Sequence, residues 1–387
     1  MKLVVKALRC SHKYRCIRFS LYCKILNLFF FLTFVLYSSS VMEMENDTVY
    51  VSGLSTVATL AEEEIYSRIY PIYSRIYPVF RIINITLYSI IFILGTVGNG
   101  LVIWIIGFKM EKTATLIWFL NLAIADFSFC LFLPLSITEW ALWDNWPFGQ
   151  IMCKTWAINL QLNLSASVLF LMIISIDRCI CVLYPIWAKI HRTSRLAITI
   201  SGIIWFLSVG LRSPYIVFSD TENVNQLTRC AFISAVGNNS TMFDYDTWNV
   251  RYKAMIMTEF VSMFLIPFPI MLVCYGLIAF QVRKNSRIPG SGRTLKIAFT
   301  IVICFFLCWF LYHSVPMIQT ADIYIRYPWD EILYFLAHCL AYFNSCLNPI
   351  IYVFIGRDFK KSLRTSIPFL LESTFRESND PPEMLIF

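Results

Sequence analysis

The chain has 387 residues, 58% of them hydrophobic and 17% aromatic, with a mean hydropathy of +0.64 and a formal net charge of +8. Only 14% are charged, about half the share of a soluble domain, and so much apolar surface could not be hidden from water behind so few charges. That excludes a soluble globular enzyme, a disordered chain and a collagen-like fibre, and it points to a membrane protein.

The charge is concentrated at the start. Lys2, Lys6, Arg9, Lys13, Arg15, Arg18 and Lys24 stand in residues 1–41 without a single acid, so the rest of the chain is nearly neutral and the basic balance is no nucleic-acid signature. An apolar run follows at Ile25–Val41, ahead of which the basic lead is long for a secretory signal. Two readings of 1–41 stay open: a signal-like leader, or an extension upstream of a true start at Met42 or Met44. Residues 42–81 are expected to form an extracellular N-terminal tail. Within it IYSRIYP at 65–71 repeats unchanged at 72–78, a duplication with no chemistry of its own, and Tyr66 beside Glu62–Glu64 has the local pattern of a sulfated tyrosine or of a plain solvated tail.

A membrane-crossing helix needs about 20 mostly apolar residues. Seven such stretches follow, at 82–108, 115–140, 153–182, 196–217, 252–282, 294–318 and 332–355, with one long connection between the fourth and fifth. The predicted fold is an all-α seven-helix membrane bundle over 82–355, with a cytoplasmic tail at 356–387. Lys109 and Lys112, then Lys189, Arg192 and Arg195, then Arg283, Lys284, Arg287 and Arg293 fall in alternate short loops, and Arg357–Arg364 in the tail. Basic loops stay in the cytoplasm, which puts the N-terminus outside and the C-terminus inside. The sequons at Asn46, Asn238 and Asn239 then lie outside as glycosylation candidates; a fourth, at Asn163, falls inside the third span and is read as chance.

Most of the 13 cysteines sit in apolar runs, where Cys behaves as a small hydrophobe. Cys153 and Cys230 are different, because both are expected on the oxidising side. A bridge between them would tie the long outer loop over the bundle; two free thiols is the alternative.

Ionisable and amide groups inside spans are expensive and usually functional. Asp126 lies in the middle of span 2, with Asn99 in span 1, Asn163 and Ser167 in span 3, and Asn344, Ser345 and Asn348 in span 7. No Lys or Arg is predicted at the depth of Asp126, so either a Na⁺ ion or a purely hydrogen-bonded carboxyl fits. At the end of span 3, Asp177 and Arg178 are adjacent opposite charges that can pair, releasing the arginine to a cytoplasmic partner. Pro267, Pro269 and Pro349 remove helix donors, so the bundle is expected to be able to rearrange.

Taken together these residues resemble the rhodopsin-like (class A) G protein-coupled receptors. The matches are Gly98–Asn99, LAIAD at 122–126, WPFG at 146–149 before Cys153, Asp177–Arg178, Trp205, Pro267, Cys308–Trp309 and NPIIY at 348–352. Within that superfamily the stretches at 118–127, 175–183, 305–309 and 344–349 are similar to the chemoattractant group that holds the formyl-peptide and chemerin receptors. The resemblance implies recognition of an extracellular peptide, coupling to inhibitory G proteins through Asp177, Arg178, Trp309, Pro349 and Tyr352, arrestin binding to a phosphorylated tail, residence in the plasma membrane, and a short eighth helix from Gly356. No enzyme is implied, and no cofactor beyond the sodium ion.

Four positions depart from that pattern. Cys179 follows Asp-Arg where Tyr is usual, as it also does in formyl-peptide and chemerin receptors. Leu311 replaces the Pro of the Cys-Trp-x-Pro motif, and the tail after Cys346 has no Cys. Where formyl-peptide receptors hold an Asp in span 3 and two Arg in span 5, this chain has Gln161, Met255 and Glu259. A ligand pocket of Gln161, Met255, Glu259, Tyr312 and His313 over a floor of Trp309 is therefore expected, with Glu259 taking a cationic group or pairing with His313. Ligands of the chemerin or another basic type are favoured over formyl peptides. A scavenger of the same fold that internalises peptide without signalling is the alternative.

Overall fold

A computed structural model describes residues 55–224, 227–232, 245–284, 291–320 and 329–355. In this part of the chain the apolar runs become helices, because only a helix satisfies every backbone group within one segment in hydrocarbon. They are α1 (Ser55–Trp104), α2 (Ala114–Ala141), α3 (Gly149–Leu183), the short α4 (Pro185–His191), α5 (Ser194–Phe218), α6 (Tyr245–Phe260), α7 (Pro267–Lys284), α8 (Ser291–Thr320) and α9 (Trp329–Ile355). A π-helical turn, Val261–Leu265, joins α6 to α7, so the two act as one apolar helix over Tyr252–Lys284. Seven long helices thus stand where seven spans are predicted, and five are long and apolar enough to cross a membrane by themselves. The proposed eighth helix, the leader, the three sequons and the tail lie outside the described residues.

Local signals set the helix starts. Thr113 and Thr193 cap α2 and α5 by accepting from the N–H groups of Leu116 and Leu196. Pro185 sits in the first turn of α4, where its missing N–H costs nothing. Helix α3 runs through the middle: 72% of its apolar stretch is buried, against 50% in α2 and 33% in α1, α5 and the α6–α7 helix. The main core gathers around it, from Leu164 and Phe170 on α3 to Ile204, Met271, Phe305 and Trp309. A smaller core of Tyr88, Phe129, Leu133 and Tyr342 joins α1, α2 and α9. Outward the surface is apolar too, with Ile93, Ile198, Phe206, Val273 and Phe280 exposed, as a lipid-facing wall requires.

Two close approaches fix α1 against its neighbours. A Cβ on Gly98 would stand 3.0 Å from Pro349 of α9, and one on Gly95 would run into Cys130 Sγ of α2. Only glycine allows such contact between backbones.

Between α5 and α6 an antiparallel hairpin pairs β1 (Ser219–Val224) with β2 (Leu227–Phe232), Thr221 opposite Cys230. Cys153 at the start of α3 is disulfide-bonded to Cys230, so the bridge expected between these two is present and the free-thiol alternative is removed. It closes a separation of 77 residues, which stabilises the fold by about 4 kcal/mol in the chain-entropy account. The hairpin marks one end of the bundle, called below the hairpin face.

Candidate functional site

At the hairpin face the helices part around a cavity of about 610 Å³. Of the predicted pocket residues, Gln161, Glu259, Tyr312 and His313 line it. Trp309 does not: it is buried beneath, stacked on His313 at 5.7 Å between ring centroids. Met255 faces the other way, into a second cavity between α5 and α6.

Glu259 is not alone. Arg212 of α5, only 1% exposed, brings Nη1 to 3.0 Å from its Oε2. Tyr215 donates its hydroxyl to the same oxygen at 2.5 Å, and His313 Nδ1 stands 3.7 Å from Oε1. The expected pairing with His313 is thus the weaker contact, and the dominant partner is an arginine that the sequence reading passed over. Its signal was available: Arg212 lies inside the predicted span 196–217, where the rule that flags Asp126 applies equally. A buried carboxylate demands such a partner, and with it the cluster is close to neutral.

The cavity rim carries Glu139 and Asp144. Asp144 sits in a left-handed turn with Trp143, φ 61° and 58°. It accepts from the Tyr77 hydroxyl at 2.5 Å and has Arg229 Nη2 at 3.9 Å. Tyr77 belongs to the second copy of the repeated heptapeptide, so this repeat does carry a contact. Arg81 locks the same turn, donating to the carbonyls of Trp140 and Ala141 at 2.7 Å and lying 4.1 Å over the Trp143 ring. Glu139 accepts from the Cys230 backbone N–H and has no Lys or Arg at ion-pair distance among the described residues. No Lys or Arg lines the cavity among them. Two walls carry polar atoms with no partner among the described residues, Gln161 Oε1 and His313 Nε2.

Below the cavity lies the predicted polar cluster. Asp126, fully buried, accepts from Asn163 Nδ2 at 3.1 Å and Ser167 Oγ at 3.2 Å on one oxygen, and from Asn348 Nδ2 at 2.6 Å on the other. Asn99 donates to the carbonyls of Gly95 and Ser345, at 3.0 and 2.9 Å, and its own Oδ1 has no partner among the described residues. Asn344 is buried in the same stretch of α9. Asn163, 5% exposed, cannot carry a glycan.

At the opposite face the adjacent pair is rearranged. Asp177 is held not by Arg178 but by Arg192 at the end of α4, Nε to Oδ1 at 2.6 Å and Nη2 to Oδ2 at 2.9 Å, with Thr115 Oγ1 at 3.3 Å. The two-point fork of arginine suits a carboxylate. Arg178 instead lies 5.9 Å from the Phe119 ring centroid, already separate from its neighbour. Pro349 is buried against α1; the side chain of Tyr352 lies outside the described residues.

Comparison with known proteins agrees with this arrangement. Residues 98–352 match the family described as "7 transmembrane receptor (rhodopsin family)". The chain is 39% identical over 307 residues to N-formyl peptide receptor 2 of Homo sapiens, which covers 78% of this chain and 87% of that one. It is 37% identical over 305 residues to N-formyl peptide receptor 3 of Homo sapiens, covering 77% and 86%.

Proposed function

The chain belongs to the rhodopsin family of seven-transmembrane receptors, multi-pass membrane proteins that are not enzymes, and from that premise we propose that it is a chemoattractant receptor for a basic extracellular peptide. The relatives' names supply the peptide class; the charge of the cavity carries the rest. Its charged lining residues are Glu139, Asp144 and Glu259. Arg212 answers Glu259 and Arg229 approaches Asp144, so Glu139 is the carboxylate left for a ligand cation. Gln161, Tyr312 and His313 then meet the remainder of the peptide, with Gln161 Oε1 and His313 Nε2 offered to its polar groups. Glu259 acts through the shape of the wall, and Trp309 under His313 transmits what the ligand does to it.

On this reading the hairpin face is extracellular, the Arg192 face is cytoplasmic, and the protein sits in the plasma membrane. Arg178, separate from Asp177, is the group presented to an inhibitory G protein, and the phosphorylated tail recruits arrestin. A sodium ion fits the middle layer: Asp126, Ser167 and the unanswered Asn99 Oδ1 are hard oxygen donors, and the ion would neutralise the carboxylate.

The test is inhibition of cyclic AMP in cells expressing the full chain, with and without pertussis toxin, challenged with basic and formylated peptides. A toxin-sensitive response to basic peptides is expected. Glu139→Gln should weaken it about tenfold, the scale of one partly desolvated charge contact. A response to formylated peptides alone, or one untouched by Glu139→Gln, would overturn the charge reading.

A further inference from the structure

The second cavity, about 330 Å³, opens sideways between α5 and the α6–α7 helix. Leu207, Leu211, Met255 and Met263 wall it, and Phe206, 77% exposed, and the exposed Gly210 stand at its edge on the outer surface of the bundle. Its inner wall is Arg212, Tyr215 and Glu259, the last two of which also line the large cavity. The ion pair is therefore the partition between a cavity facing the ligand side and one facing the hydrocarbon.

Arg212 has more donors than the protein answers. Nη1 makes the ion pair with Glu259, yet Nε, Nη1 and Nη2 are all buried without a well-aligned hydrogen-bond acceptor among the described residues. A buried donor with nothing to bond is costly, and more so where the surroundings are apolar. An acceptor must reach the guanidinium from the cavity that it lines. The walls favour an apolar body: away from the Arg212–Tyr215–Glu259 end, Phe206, Leu207, Leu211, Met255 and Met263 supply half of the lining, and Ser213, Thr258 and Ser262 are its only polar side chains among the described residues.

We propose that this cavity binds a bilayer amphiphile, its acyl chain lying against Phe206, Leu207 and Met263 and a neutral hydrogen-bond acceptor, an ester or amide carbonyl, taking the free N–H groups of Arg212. Charge decides against a free fatty acid. Glu259 already neutralises the arginine, so a second carboxylate on the same guanidinium would leave an uncompensated negative charge beside Glu259 in a low-dielectric wall. The inference needs only that the helices span a bilayer; it stands whether or not the large cavity takes a basic peptide.

The experiment uses the purified full chain in phosphatidylcholine nanodiscs, with three photoreactive probes that share one acyl chain: a methyl ester, the free acid and a plain alkane. Crosslinked peptides are mapped by mass spectrometry. The ester should mark 206–213 and 255–263 about fivefold over the alkane, the ratio expected of one net hydrogen bond. Gly210→Trp should abolish that labelling. A Cβ at Gly210 meets nothing within 4 Å, so the indole fills the opening without disturbing the fold, as an unchanged melting temperature would show. Arg212→Gln should reduce the ester's labelling to the level of the alkane. Equal labelling by ester and alkane, labelling that survives Gly210→Trp, or preference for the free acid would each overturn the proposal.

Discussion

Burying Glu259 and Arg212 together commits the protein to keeping both. Each is 8% exposed or less, and an isolated charge at that depth is far more costly than a pair. Arg212→Met should destabilise the protein by about 3–5 kcal/mol because it strands the carboxylate. The double variant Arg212→Met/Glu259→Met should recover to within about 1 kcal/mol of the parent, since an apolar pair of similar volume needs no compensation. Thermal unfolding of the purified protein measures both; a double variant no more stable than the single would show that the pair is not what holds α5 to α6. Such partnerships were only half legible in the sequence. Apolar flanks flag Asp126, Glu259 and Asp177 as buried ionisable groups, but which group answers each depends on how neighbouring helices are rotated. Arg192 is fifteen residues along the chain from Asp177, beyond a whole short helix, and adjacency pointed wrongly to Arg178. Arg212 was within reach, being an arginine inside a predicted span.

Among the elements, helix positions follow from hydrophobicity over long windows, which is why the apolar part of all seven was legible. The start of α1 was not, because it begins at Ser55, well inside the stretch 42–81 expected to be a tail, where the sequence is too polar to register as a span. The π turn at Val261–Leu265 and the short α4 were not, because single-turn choices depend on packing that no period records. Nor did the long loop show its hairpin, whose strand residues carry only weak alternation. The hairpin is held at its open end, where Asp220 pairs with Ala231 and Thr221 with Cys230. Cys230 is bonded to Cys153, while Asp220 accepts from Gln150 Nε2 at 2.9 Å and the Thr221 N–H at 2.7 Å, with Lys154 Nζ at 3.3 Å. The Gln150 bond first, then the Thr221 N–H, hold the Asp220 carboxyl below the usual carboxylate range. A group whose folded pKa is depressed contributes its stability above the unfolded value, about 3.9, and loses it as pH falls through the folded one. Hydrogen-exchange protection of 219–224 should therefore stay flat from neutral pH down to about 5 and fail only below about 4. Asp220→Asn should remove that acid limb; protection already falling near pH 6 would point to a different group.

Seen whole, the molecule stacks three polar layers along α3: the cavity at Gln161, the cluster at Asn163 and Ser167, and Asp177 at the far face. Between the second layer and the third, Val168–Ile174 of α3 are all buried and apolar, so a change at one end reaches the other through discrete rearrangements of packed side chains. The middle layer holds a fully buried carboxylate, Asp126, with no Lys or Arg at ion-pair distance among the described residues. Donors reach both oxygens of Asp126, Asn163 and Ser167 on Oδ1 and Asn348 on Oδ2, which satisfies its hydrogen bonds but leaves its charge in place. A bound sodium ion would supply the missing charge, and anything that binds the folded state raises its stability by RT ln(1 + [L]/Kd). The purified protein should accordingly melt higher in sodium chloride than in choline chloride of equal ionic strength, by an increment that grows with the logarithm of the sodium concentration once the site is filled. Asp126→Asn deletes the charge and turns an acceptor into a donor facing Asn163 and Asn348, so it should both lower stability and abolish the sodium increment. Asn99→Ala separates the two roles. It removes the unanswered carbonyl without touching the carboxylate, and should shrink the increment while leaving part of it. Equal melting in the two salts would mean that the carboxyl is protonated and hydrogen-bonded, and that the layer couples cavity to far face as a neutral network.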